Sequence, residues 1–169
     1  MLNIKFLFSN FWHFLALGFG AGLSKKAPGT IGSLIAFPLF FIILPLSSEL
    51  QIGFVITLFF LGIHASNITS EGLKLKDPAC IVIDEIVAML LILIIINYFI
   101  LFKNAPISFV PEQILFFLSF LIFRFFDVMK PFPIKWFEKK FKGGFGIMID
   151  DIVAAIPLSL IHISEPTRP

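Results

Sequence analysis

The sequence of 169 residues is poor in charge, tyrosine and cysteine. Charged residues make up 14% of it, against about 25% in an average soluble chain. With 58% hydrophobic residues, such a chain cannot cover its surface with polar groups, which excludes both a disordered chain and an ordinary soluble domain. The single cysteine, Cys80, excludes an internal disulfide and a cysteine metal cage. No basic stripe rich in aromatic residues points to nucleic acid.

Long apolar runs are what the sequence does contain. It has 24 phenylalanines and a mean hydropathy of +1.00. Its charged residues separate apolar runs, and these runs are close in length to the about 20 residues that a membrane-spanning helix needs. We therefore predict an all-α, polytopic membrane bundle of about five helices. The predicted helices lie at residues 31–47, 50–66, 84–102, 112–128 and 147–163.

The first apolar run, residues 6–24, differs from the others because it contains Gly18, Gly20 and Gly22. Glycine at this density favours a bent segment over a straight helix, so we expect a re-entrant or interfacial element over residues 11–30. A cleaved signal peptide is the alternative, because Lys5 precedes the run. We predict a single domain over residues 1–163 and a disordered or foreign tail over 164–169.

The lysines predict the orientation in the membrane, since positive residues are enriched in cytoplasmic loops. If Lys25 and Lys26 are cytoplasmic, alternation of the helices leaves Lys103 outside. The remaining loop lysines then fall inside: Lys74, Lys76, Lys130, Lys135, Lys139, Lys140 and Lys142. This distribution predicts a multi-pass protein of the cytoplasmic membrane.

Acidic residues are few and gather at the predicted cytoplasmic ends of the helices. The members of this group are Asp77, Asp84, Glu85, Asp127, Asp150 and Asp151. Each charge in an apolar segment costs roughly 2.5–3.5 kcal/mol, and a divalent cation is the simplest way to offset this cost. Carboxylates without a histidine or cysteine pattern favour Mg²⁺ over Zn²⁺. The alternative is that the acids cap helix starts, which does not explain Asp127 at a C-terminal end.

Basic and glycine-rich segments lie beside these acids. Arg124 shares a helix face with Asp127, and with Lys130 it is a candidate for binding phosphate; a boundary salt bridge is the alternative. The glycine-rich segments 18–22 and 27–33 flank Lys25 and Lys26, and backbone amides in such loops bind anions. Close helix packing explains the same glycines equally well.

Four stretches of the sequence resemble the phosphatidylglycerophosphatase A family of bacterial membrane enzymes. They are residues 18–34, residues 77–85, residues 123–134 and residues 143–151, and their order and spacing also match. The resemblance implies a Mg²⁺-dependent phosphatase of phospholipid synthesis. Its substrate would be phosphatidylglycerophosphate, and its products phosphatidylglycerol and phosphate.

Together, the residues and the resemblance define a predicted site on the cytoplasmic face of the bacterial inner membrane. The predicted metal ligands are Asp84, Glu85, Asp127, Asp150, Asp151 and, more weakly, Asp77. The predicted phosphate-binding residues are Arg124, Lys130, Lys25, Lys26, Ser24 and Thr30. Asp127, Asp150, Asp151, Arg124 and Lys130 are the predicted catalytic residues. Direct attack by water and a phosphorylated aspartate both remain open, and the sequence predicts no oligomeric state.

Two other functions fit a membrane protein with buried acids. A cation or solute transporter would use such acids along its path, but it would be expected to place them near mid-helix. A phosphotransferase of the CDP-alcohol type also uses aspartates and Mg²⁺, but its long aspartate motif is absent from this sequence.

Overall fold

The computed structural model describes residues 2–75, 78–103, 111–129, 141 and 143–163. Within these ranges the chain is helical, with no β-strand, in agreement with the predicted all-α class. The helices are α1 (Ile4–Ser9), α2 (Phe11–Ala16), a 3₁₀ segment (Gly18–Leu23), α3 (Pro28–Ile43), α4 (Ser48–Leu73), α5 (Ile83–Lys103), α6 (Glu112–Met129) and α7 (Gly143–Ile163). The predicted tail, residues 164–169, lies outside the described residues.

The N-terminal run does not form one straight helix. It folds as α1, α2 and the 3₁₀ segment, which is interrupted where Phe19 and Gly20 adopt φ values of 58° and 109°. Asn3 and Asn10 accept hydrogen bonds from the first turns of α1 and α2, so each short helix has its own start signal. The predicted break in this run is thus confirmed, whereas its position relative to a membrane stays a prediction.

Helices α3 and α4 differ from their predicted bounds for local reasons. α3 begins at Pro28 rather than at residue 31, because proline is well suited to a first helical turn, and it continues through Pro38. α4 continues past the predicted end at residue 66 to Leu73. Its last turns are too polar for an apolar-run criterion, yet Thr69 and Ser70 are buried.

Helix α5 is the centre of the structure. It contacts α3, α4, α6 and α7, and side chains along its first half, including Ile86, Met89 and Leu93, are fully buried. The first half of this near-continuous apolar sequence therefore lies mostly in the protein interior. The acidic pair Asp84 and Glu85 stands in its first turn, so it lies where these helices converge.

Two of the described helices, α4 and α5, are long and apolar enough to cross a membrane. Residues Ile83–Ile100 of α5 have the higher hydropathy, 2.3 against 1.7 for α4, and α3 is a shorter apolar helix. These two helices do not by themselves support a bundle of about five membrane-crossing helices, so that bundle stays a prediction.

Candidate active site

Three carboxylates from two helices form a cluster at the start of α5. Asp84, Glu85 and Asp151 each place one carboxylate oxygen within 4.8 Å of the others. Asp84 and Glu85 come from the first turn of α5, and Asp151 comes from α7. We call these three side chains the acidic cluster. The contact of Asp151 with the other two is a tertiary one, because Asp151 is far from Asp84 and Glu85 in sequence.

The packing of α7 against α4 and α5 brings Asp151 to this place. A Cβ atom at Gly62 of α4 would lie 2.7 Å from the Met148 side chain and 3.4 Å from that of Ile83, so the three helices approach closely at a residue without a side chain. Asn67 of α4 then fixes the start of α7, since its Oδ1 accepts a hydrogen bond of 2.6 Å from the Gly144 amide. These contacts set the depth and direction of α7.

The N-terminal helices hold the start of α5 from the other side. The Val82 amide, immediately before α5, donates to the Ala16 carbonyl over 3.0 Å. Helix α2 is in turn anchored to α4 by a buried hydrogen bond of 3.0 Å between His13 Nδ1 and Thr69 Oγ1, and burial lowers the pKa of His13. These hydrogen bonds therefore fix the backbone that carries Asp84 and Glu85.

Arg124 connects α6 to the acidic cluster. Its Nη1 donates to Asp127 Oδ2 within the same helix and lies 3.9 Å from Glu85 Oε1. The side chains of Arg124, Glu85 and Asp127 are 17%, 14% and 12% exposed. Partial burial makes these interactions stronger than they would be in water. Arg124 contacts two carboxylates, those of Glu85 and Asp127, and Asp84 and Asp151 cluster with Glu85, so among these described groups negative charge is in excess.

The acidic cluster fits a hard divalent cation. Asp84 Oδ1 and Glu85 Oε2 are buried and have no hydrogen-bond partner among the described residues. Buried polar atoms nearly always have a partner, so these two oxygens indicate a ligand that supplies positive charge. Oxygen donors without nitrogen or sulfur are the set that Mg²⁺ prefers.

The remaining predicted acids fall into different positions. Asp150, buried beside Asp151 on α7, is not one of the three clustered carboxylates, which follows from the turn of about 100° between adjacent helical residues. Asp127 reaches the site through Arg124. Asp77 and Lys130, as well as Lys135, Lys139 and Lys140, lie outside the described residues.

The N-terminus of α3 lies against the same site. A Cβ atom at Gly29 would overlap Glu85 Oε1 and come within 3.2 Å of Arg124 Nη1, which places Thr30 in a first turn beside the cluster. Ser24 is used locally, because its hydroxyl donates to the Lys26 carbonyl over 2.8 Å. Lys25 and Lys26 are exposed. Their predicted role in phosphate binding stays a prediction.

Sequence reasoning missed Gly29 and Asn67 as parts of the site. Gly29 stands in a glycine-rich motif whose sequence is typical of either anion binding or helix packing, and its contact with Glu85 is visible only in the tertiary structure. Asn67 has a weaker signal. It is an amide in the polar second half of α4, but the local sequence does not identify the Gly144 amide as its partner.

The fold and the site together define a class of protein: an apolar helical protein with a carboxylate–arginine cluster at one end of its central helix. The family model for phosphatidylglycerophosphatase A matches residues 14–164. The phosphatidylglycerophosphatase A of Escherichia coli K12 is 37% identical over 88% of this chain and 79% of its own length. That of Haemophilus influenzae is 41% identical over 85% and 82%, respectively. No solved structure matches this chain.

The chain thus belongs to the phosphatidylglycerophosphatase A family, as the sequence motifs predicted. The match covers the acidic cluster, Arg124 and the α3 N-terminus. The protein is a phosphatase by its family.

Proposed function

We propose that this protein hydrolyses the terminal phosphomonoester of phosphatidylglycerophosphate, releasing phosphatidylglycerol and inorganic phosphate. Family membership supports the reaction and the substrate. The observation that carries the proposal is the acidic cluster with Arg124 beside it. Excess carboxylates attract a cation, and a cation next to a guanidinium suits a phosphate dianion.

The acidic cluster is the proposed Mg²⁺ site. Asp84, Glu85 and Asp151 would hold the ion, and we propose that Asp127 and Asp150 hold a second ion or orient the first ligands. When bound, Mg²⁺ supplies neutralisation of phosphate charge and activation of water. The buried oxygens of Asp84 and Glu85 without a described partner support this assignment.

Arg124 is the proposed phosphate ligand. Its guanidinium offers five N–H donors in one plane. Its contact with Glu85 is long, at 3.9 Å, and its Nε is buried without a described partner. A phosphate oxygen would satisfy these donors. Lys130, Lys25, Lys26, Ser24 and Thr30 are proposed to add to the same anion-binding region.

The proposed setting is the bacterial inner membrane, with about five helices crossing it and the acidic cluster near the cytoplasmic face. Large apolar side chains point outward from several helices, and exposed apolar surface of this extent indicates a non-aqueous partner. These exposed residues include Phe8, Ile42, Phe60, Phe117 and Phe125. A phosphomonoester on a lipid headgroup would lie at the depth of helix ends.

Phosphate release by the purified protein in detergent micelles tests the proposal. We expect release from phosphatidylglycerophosphate in the presence of Mg²⁺, loss of release on chelation with EDTA, and recovery on return of Mg²⁺. Mass spectrometry should identify phosphatidylglycerol as the lipid product. Equal release with and without EDTA would contradict the metal assignment, and no release in any condition would contradict the proposed reaction.

A further inference from the structure

We propose that Gly29 is a positioning residue of the site: α3 begins so close to Glu85 and Arg124 that only a residue without a side chain leaves both groups in place. The importance of Gly29 for catalysis rests on the proposed function. The steric coupling between Gly29 and Glu85 does not depend on that function.

Space, rather than backbone conformation, accounts for glycine at this position. A Cβ atom at Gly29 would overlap Glu85 Oε1, lie 3.0 Å from Glu85 Cδ and lie 3.2 Å from Arg124 Nη1. The glycines with positive φ are Gly18, Gly20 and Gly143. Gly29 has the backbone of an ordinary helical residue, so alanine could adopt its conformation but would not find room.

Helix α3 cannot easily move away to make that room. A Cβ atom at Gly32, on the same face, would come within 2.8 Å of Val82 Cβ, so α3 and the chain entering α5 are already in contact there. Ser33 Oγ donates to the Gly29 carbonyl over 2.9 Å in a buried position. The Gly32–Val82 contact therefore resists a shift of α3 away from α5, and the Ser33 hydrogen bond stabilises the local helical backbone at Gly29.

The Glu85 carboxylate is the group that would move instead. It is the end of a flexible side chain, and displacing it costs less than separating two packed helices. Its displacement would break the acidic cluster and change the contact with Arg124. An alanine at position 29 should therefore leave the fold intact while it weakens the cation site.

A double-mutant cycle between Gly29→Ala and Glu85→Asp tests this coupling. Aspartate is shorter by one methylene, so its carboxylate withdraws from position 29. The readouts are Mg²⁺ affinity by calorimetry and the midpoint of thermal unfolding, both in detergent. Gly53→Ala is the matched control, because a Cβ atom at Gly53 of α4 meets nothing within 4 Å.

We expect Gly29→Ala to weaken Mg²⁺ binding about tenfold and Gly53→Ala to leave it unchanged. In the Glu85→Asp background, the effect of Gly29→Ala should fall below about threefold, because contacting residues are not additive. The proposal would be overturned if the Gly29→Ala variant bound Mg²⁺ with wild-type affinity. It would also be overturned if Gly29→Ala caused the same loss of Mg²⁺ affinity in the wild-type and Glu85→Asp backgrounds.

The double-mutant cycle measured by thermal unfolding separates this inference from the proposed function. If the wild-type protein binds no Mg²⁺, the metal proposal fails, and the unfolding midpoints still decide on Gly29. A smaller drop in midpoint on adding Gly29→Ala to Glu85→Asp than to the wild type supports the steric coupling. Equal drops in both backgrounds refute it.

Discussion

The two ends of the central helix α5 are built in opposite ways. At its start, carboxylates crowd within 4.8 Å of one another, and glycines let the neighbouring helices approach closely. Towards its other end, α5, α4 and the connection between α3 and α4 line a partly open cavity of about 780 Å³, mainly with apolar side chains such as Leu44, Ile52 and Leu91.

Polar groups are treated differently at the two ends as well. Gln51, beside the cavity, is buried and donates to the Leu44 and Leu46 carbonyls over 3.2 and 3.0 Å. Asp84 and Glu85 instead retain buried oxygens without a described partner. A satisfied amide stabilises a helix connection, whereas unsatisfied carboxylates are costly unless a ligand binds. This difference favours the start of α5 as the proposed metal and phosphate site.

Removing one charge from the acidic cluster should have the largest effect. Asp84→Asn and Asp151→Asn keep the side-chain volume, and each should lower phosphate release by orders of magnitude because a charged ligand is lost. Asp127→Asn and Asp150→Asn should also lower phosphate release. A higher Mg²⁺ concentration should partly restore release in a variant whose defect is a weaker affinity for Mg²⁺. Near-normal hydrolysis by all four variants at low Mg²⁺ would contradict a metal-binding role for these acids.

Arg124 should be the next most sensitive position. Arg124→Lys keeps the charge but loses the planar donors, and Arg124→Gln loses both. We expect activity to fall by about 10²-fold for glutamine, the scale of one lost transition-state donor, and by less for lysine. Steady-state assays should show both losses mainly in kcat/KM. Equal activity of Arg124→Gln and the wild type would remove Arg124 from the site.

Loss of the Asn67 cap should affect stability more than chemistry. Asn67→Ala removes the acceptor for the Gly144 amide and should destabilise the protein by about 1 kcal/mol. Thermal unfolding in detergent measures this effect. Asn67→Asp, which keeps the acceptor, should retain most of the stability, and an equal loss in both variants would exclude the capping role.

The smallest effect on activity should come from the opposite end. Gln51→Leu leaves the Leu44 and Leu46 carbonyls without their donor and should destabilise the protein by about 1–3 kcal/mol. Phosphate release by the folded fraction should stay near the wild-type rate. A large fall in that rate would mean that the two ends of α5 are functionally coupled and do not have separate roles.

The sequence predicts the helices well where apolar runs and charges define them. The apolar stretch of α5 and the acids in its first turn follow from local pattern alone. The end of α4 does not, because its last turns are stabilised by buried small polar residues such as Ser66 and Thr69. An apolar-run criterion cannot recognise burial that depends on neighbouring helices.

The sequence predicts a set of candidate residues but not their arrangement. Acids in an apolar chain carry a strong electrostatic signal, and that signal selected six residues: Asp77, Asp84, Glu85, Asp127, Asp150 and Asp151. The structure brings Asp84, Glu85 and Asp151 of this set together. The electrostatic signal did not distinguish Asp151 from Asp150, because that depends on how α7 is rotated. The contact of Gly29 with Glu85 was equally hidden, since it joins helices that are distant in sequence.

A Mg²⁺ titration of the purified protein, followed by calorimetry, is the most direct test of whether the acidic cluster binds the metal. We expect saturable binding by the wild type and by Gln51→Leu, and strongly weakened binding by Asp84→Asn and Asp151→Asn. Indistinguishable Mg²⁺ binding by all four proteins would contradict the assignment of the acidic cluster as the metal site.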